Sequence, residues 1–180
     1  MRNLARYYMA ALFLATLFLL RADNPAAPHA PTTISEPTVF TYQIPRGWIS
    51  VEVPHMYPIA VEASGSAKKE QAKAMISVTT RMDNSPLANW CAQSLQQNKA
   101  QLATLGAQVG QLEPFFTAAS AIGYRAPIDL QVKDRALHYV MYFFDGGDGT
   151  KITVTCACPA TDTPRYLPVF ETAMKSFVPH

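Results

Sequence analysis

Three cysteines and four histidines offer the most chemistry in this chain. Cys156 and Cys158 are separated by one residue, whereas dithiol redox motifs place two residues between the sulfurs. On an extended strand the pair points to one face, about 6.5–7 Å apart by strand rise, too far to bond easily to each other. Cys91 falls on the apolar side of a helical pattern expected to cover that same sheet. Three fates stay open: a disulfide from Cys91 to Cys156 or Cys158 in an oxidising compartment, three reduced thiols packed as small hydrophobes, or a metal site. His29, His55, His138 and His180 are scattered, and no two have the i, i+4 spacing of a helical zinc site. His138, among apolar neighbours, reads as a satisfied sheet-face residue.

The remaining motifs read as structure. There is no G-x-S-x-G, and Ser64-Gly65-Ser66 sits in a small-residue stretch with no histidine nearby. Asp145-Gly146-Gly147-Asp148-Gly149 lacks both the further ligands of an EF-hand and the G-K-[ST] ending of a phosphate loop, so it reads as a hairpin turn. Asp129 and Asp134 flank another turn and read as solvated charge. The sequence assigns no catalytic residue, no cofactor-binding residue and no metal ligand.

These residues sit on elements whose periods are legible. Alternation predicts strands at Val39 to Ile44, Trp48 to Val53, Ile59 to Ala63 and Ala74 to Arg81. Pro45-Arg46-Gly47 turns the first pair, and Ser64 to Lys73 reads as a loop. The period then changes. Leu87, Trp90, Cys91, Leu95, Leu102 and Leu105 recur at threes and fours, a helix of about 20 residues interrupted on its apolar face by Asn98. Ser85 is the expected N-cap, Pro86 the first helical residue and Gly106 the C-terminal cap. Strands follow at Ala107 to Glu113, within Thr117 to Val132 (Gly123 marking a bulge or close approach), at Ala136 to Phe144 and at Thr150 to Cys158. Tyr139, Tyr142 and Phe144 share their strand with Val140, Met141 and Phe143, so both faces are apolar, as in a central strand covered on both sides. A last helix from Thr163-Pro164 carries Tyr166, Leu167, Phe170, Met174 and Phe177. The order predicts an α+β layered sandwich: a mostly antiparallel sheet of about six to eight strands covered by two main helices.

Composition excludes some functions. With 49% hydrophobic and 16% charged residues the body is globular. Arg2, Arg6 and Arg21 stand ahead of the rest, and without them the charge falls from +2 to −1 (12 minus 13). The pI near 8.4 thus belongs largely to the N-terminus, and no basic stripe suits nucleic acid. Residues 1–22 read as a signal peptide or short membrane anchor. The uncharged run Tyr7 to Leu20 has 14 residues, the length of a signal h-region and short of a full span. No small-x-small cleavage site is evident, so removal and retention both stay open. Residues 23–37, with Pro25, Pro28, Pro31 and Pro37, read as a spacer. Residues 38–180 form the domain.

Phe40-x-Tyr42-x-Ile44-Pro45-x-Gly47-Trp48, the mid-domain helix, and the closing Phe170-x-x-x-Met174-x-Ser176-Phe177 together resemble the PsbP-like superfamily. That group includes the photosystem II extrinsic protein PsbP, the Ran-binding Mog protein and bacterial DcrB-like envelope proteins. The resemblance spans most of Thr38 to Val178 and carries no catalytic motif. It implies a non-enzymatic binding or assembly accessory protein of the bacterial cell envelope, without cofactor. Such a protein would be exported, periplasmic or anchored to the inner membrane facing the periplasm. Its expected partner is another envelope protein; the membrane is a partner only through an uncleaved N-terminal segment. The alternatives are an uncharacterised enzyme of hydrolase or redox type, and a structural subunit of an envelope or secretion complex.

Overall fold

A computed structural model describes residues 33–36, 39–53, 56–62, 73–132 and 135–180. The N-terminal segment 1–22, His29, His55, Asp134 and most of the Ser64 to Lys73 loop lie outside the described residues. The architecture is the expected α+β layered sandwich. Eleven strands run in chain order: β1 (Thr33–Glu36), β2 (Phe40–Gln43), β3 (Trp48–Val51), β4 (Ile59–Glu62), β5 (Met75–Met82), β6 (Gln108–Val109), β7 (Glu113–Phe116), β8 (Ile122–Val132), β9 (Arg135–Asp145), β10 (Thr150–Pro159) and β11 (Val178–Pro179). Helix α1 (Leu87–Leu102) follows β5, and α2 (Thr163–Lys175) follows β10. An antiparallel eight-stranded sheet has the order β3-β4-β5-β10-β9-β8-β6, with β7 also on β8. A second sheet, β1-β2-β11, is likewise antiparallel.

The strands alternate because the large sheet has a core on each face. On β9, Tyr139, Met141 and Phe143 join the core under α1, with Trp90, Cys91, Leu95 and Leu102. Val140, Tyr142 and Phe144 join the core under α2, with Tyr166, Phe170, Met174 and the small sheet's Phe40 and Tyr42. Phe177 stacks on Phe144 at 4.6 Å and on Phe40 at 5.5 Å, joining the two sheets. Full burial of each such ring contributes about 2–3 kcal/mol before entropy. Gly123 is a close-approach point: a Cβ there would lie 2.6 Å from both Phe143 O and the Phe144 ring.

Several local expectations are corrected. Helix α1 starts at Leu87 with Pro86 as its N-cap; the Ser85 hydroxyl donates to Asp83 Oδ1 and makes no cap bond. The stretch Ala107 to Glu113 is not one strand. It splits into β6 and β7 opposite Pro127, which has no N–H for a ladder; only its carbonyl is used, by Gly110 N at 2.8 Å. Leu167, expected on the apolar stripe of α2, is 38% exposed, because Tyr166, Phe170, Ala173 and Met174 already fill the buried face. Thr33–Glu36 forms β1 along β2, so strand pairing begins inside the stretch read as spacer.

Candidate binding cleft

A cleft of about 580 Å³ opens between α2 and the β2–β3 turn. The turn is closed by Trp48 N–H to Pro45 O at 3.0 Å, and Gly47 at φ +81° supplies the left-handed step it needs. This lifts Arg46 to the rim and sets Trp48 into the floor, edge-on to Tyr166 and Phe170 at 6.4 and 6.1 Å. On α2, with Pro164 in the first turn, the buried positions Tyr166, Phe170 and Ala173 anchor the helix. Arg165, Pro168, Val169 and Thr172 line the opening. Gln43 N–H donates to Ser176 Oγ at 2.9 Å, holding β2 to the end of α2.

Glu62, across from Trp48 on β4, supplies the acid of the cleft. Oε1 receives Arg165 Nη2 at 2.5 Å and Oε2 receives the Tyr166 hydroxyl at 2.5 Å. The Arg165 guanidinium also lies 4.9 Å from the Tyr166 ring centre. Burial, and then the bond to Glu62, raise the Tyr166 hydroxyl well above the ordinary tyrosine range. Both carboxylate oxygens are thus engaged. Arg165 stays 62% exposed, and Arg46 makes no ion pair among the described residues. The cleft offers an aromatic floor, two guanidinium groups and one neutralised carboxylate, a set suited to holding an anionic group. Sequence reasoning missed Glu62, Arg165 and Tyr166 as a unit, because 103 residues separate Glu62 from Arg165.

The sequence-flagged residues lie elsewhere. The helix carrying Cys91 covers the sheet of Cys156 and Cys158, as expected, but Cys156 and Cys158 face the α2 side and Cys91 the α1 side, so the sheet stands between them. All three are free thiols in the core. Burial pushes Cys158 up to about 11, Cys91 up to about 12, and Cys156 well above the usual thiol range. His138 is a half-buried sheet-face residue directly across from Cys158, and Asp129 lies across from His138 on the next strand. His138 Nδ1 is 2.7 Å from Asp129 Oδ1, so this acid has a histidine partner and is not merely solvated. The row has the composition of a thiol-hydrolase triad but not its geometry. Cys158 is fully buried, makes no hydrogen bond to His138 among the described residues, and has Thr163 as its hydrogen-bond partner. The usable signal was hairpin register: Asp129 and His138 lie symmetrically about the β8–β9 turn. Asp145 to Gly149 is a hairpin turn as expected, and Asp145 Oδ1 pairs with the buried Lys151 Nζ at 2.6 Å. Among the described residues, no three His, Cys, Asp or Glu side chains converge on a metal position, and no helix is long and apolar enough to cross a membrane.

Solved structures share this fold. Cyanobacterial PsbP (CyanoP) from Synechocystis sp. PCC 6803 superposes with a TM-score of 0.60 at 14% identity, over 89% of this chain and 99% of that one. LpqN of Mycobacterium tuberculosis, described as involved in cell envelope biogenesis, gives 0.58 at 11% identity, over 83% and 90%. The Saccharomyces cerevisiae Ran-binding protein Mog1p gives 0.58 at 9% identity, over 84% and 96%. No protein-family model matches the chain, and no curated protein matches it in sequence. At these identities what is shared is the fold.

Proposed function

We propose that this chain, which has the PsbP-like fold, is a non-catalytic binding or assembly accessory protein of the bacterial cell envelope. It engages a protein partner through the cleft between α2 and the β2–β3 turn. The observation that carries this reading is the state of Glu62: both its oxygens are held, by Arg165 and Tyr166, so the cleft's carboxylate serves as a fixed recognition surface. No histidine or thiol among the described residues lines the cleft. The apolar N-terminal run and the proline-rich stretch support export or tethering at the membrane, with the domain on the periplasmic side. The fold neighbours support it further, since LpqN is described in envelope biogenesis and Mog1p as Ran-binding.

The test is photo-cross-linking in the native host, with a photoreactive amino acid at Val169 or Thr172 in the cleft and, as control, at Lys99 on the opposite helix. The expected result is one envelope protein captured from the cleft positions and not from Lys99. Turnover of a small substrate by the purified chain, abolished by a single cleft substitution, would overturn the reading. So would recovery of the intact chain, N-terminal run included, from the cytosol.

A further inference from the structure

The partner of this cleft has a definable shape, and this step rests on the reading just given. Strand β3 ends the large sheet, and among the described residues no strand lies beyond it. Successive residues of an antiparallel strand send their backbone groups to opposite sides. Glu62 N–H bonds to Ala74 O at 3.1 Å, on the β5 side, so Ala60 also serves β5 while Ile59 and Val61 serve β3. Their partners in register, Val51 and Ile49, therefore turn inward. Ser50, between them, turns both its N–H and its carbonyl outward, and its side chain is exposed. Trp48 adds an outward carbonyl, its N–H being taken by Pro45.

An open edge of this kind is a template for another strand. A residue pairing with Ser50 or Trp48 would send its side chain to the α2 face, as Trp48 does, and that is where the cleft lies. The groups there are the unpaired Arg46 and Arg165, which stays largely exposed with its Nη2 held by Glu62. Glu52, exposed beyond the other end of β3, disfavours a second acid at that end.

We propose that the occupant is an extended peptide segment of a partner protein, added to β3 as a further strand, with an acidic side chain between Arg46 and Arg165. Backbone pairing with Ser50 supplies the alignment, and the two guanidinium groups supply the selection.

The experiment is selection from a random dodecapeptide display library on the full-length chain held in detergent. Enriched peptides are resynthesised and titrated against the Trp90→Phe variant, so that fluorescence reports Trp48 in the cleft floor. The expected result is enrichment of an acidic residue flanked by alternating β-branched residues. Affinity should fall about tenfold or more in Arg46→Glu, whose exposed turn position leaves the fold intact. N-methylation should abolish binding at alternate peptide positions only: at the residue opposite Ser50 if the added strand is antiparallel, at the next residue if it is parallel. Binding that tolerates N-methylation throughout overturns strand addition. Enriched peptides without an acidic residue, or no enrichment over Arg46→Glu, overturn the acidic segment. In each of those cases cleft cross-links to an envelope protein would leave the broader reading standing, whereas their absence would remove it independently.

Discussion

The hydroxyl of Tyr166 donates to Glu62 Oε2 at 2.5 Å, joining the second half-turn of α2 to the last residue of β4 across 104 positions. Tyr166 is 1% exposed with Glu62 in place, and both residues line the open cleft. Tyr166→Phe removes the donor while Arg165 still holds Glu62, and should cost about 1–2 kcal/mol. Glu62→Ala removes the acceptor of both Tyr166 and Arg165 and should cost at least as much. Urea unfolding measures both; equal midpoints for Tyr166→Phe and the parent would show that the bond contributes nothing.

Stability should fall at alkaline pH. Burial raises the Cys91, Cys156, Cys158, Tyr42, Tyr142 and Tyr166 hydrogens above their unfolded values of 9.0 and 10.0. Each group binds its proton more tightly when folded. The contribution is whole below pH 9 and is lost as the unfolded thiols ionise above 9, then the tyrosines above 10. Each group adds a slope of about 1.4 kcal/mol per pH unit, until the pH reaches its folded value, about 11 for Cys158 and about 12 for Cys91. Urea midpoints at pH 8, 9, 10 and 11 trace the decline. Cys156→Ala should flatten its first part, and a level curve to pH 11 would contradict the argument.

The thiols themselves can be counted. Cys91 lies on the opposite side of the sheet from Cys156 and Cys158. Unreduced protein should therefore show no fast-reacting thiol when native and three in denaturant, by a chromogenic disulfide reagent. A count of one in denaturant would demand a bridge and a different placement of α1.

Gly123→Ala tests the packing of the hairpins. The added methyl group meets Phe143 O, which is backbone of the central strand, and the ring of Phe144, which is itself stacked on Phe177. Neither can retreat freely, so the cost should be about 2 kcal/mol or more. Thermal unfolding reads it, and an unchanged midpoint would mean that β8 and β9 lie farther apart than described.

Residue pattern and tertiary placement divide cleanly in this protein. Period-2 runs such as Trp48 to Val53 and Ala136 to Phe144 made the strands, their faces and the central position of β9 legible, because alternation is a local consequence of the pleat. The change of period at Leu87 and the Pro164 start signal located both helices, and the Pro45-to-Trp48 turn pointed to the fold. The split of β6 from β7 was hidden, since its cause is Pro127, a missing donor on a neighbouring strand. Which helix covers which face was hidden too. Alternation says that Cys156 and Cys158 share a side, but the side taken by α1 depends on how the chain crosses from β5 to β6 and on the pairing of β5 with β10. The cleft belongs wholly to this second level. Arg46, Glu62 and Tyr166 are ordinary residues in three separate patterns, and only the packing of α2 against the β3–β4 corner brings a carboxylate, a hydroxyl and two guanidinium groups to one opening.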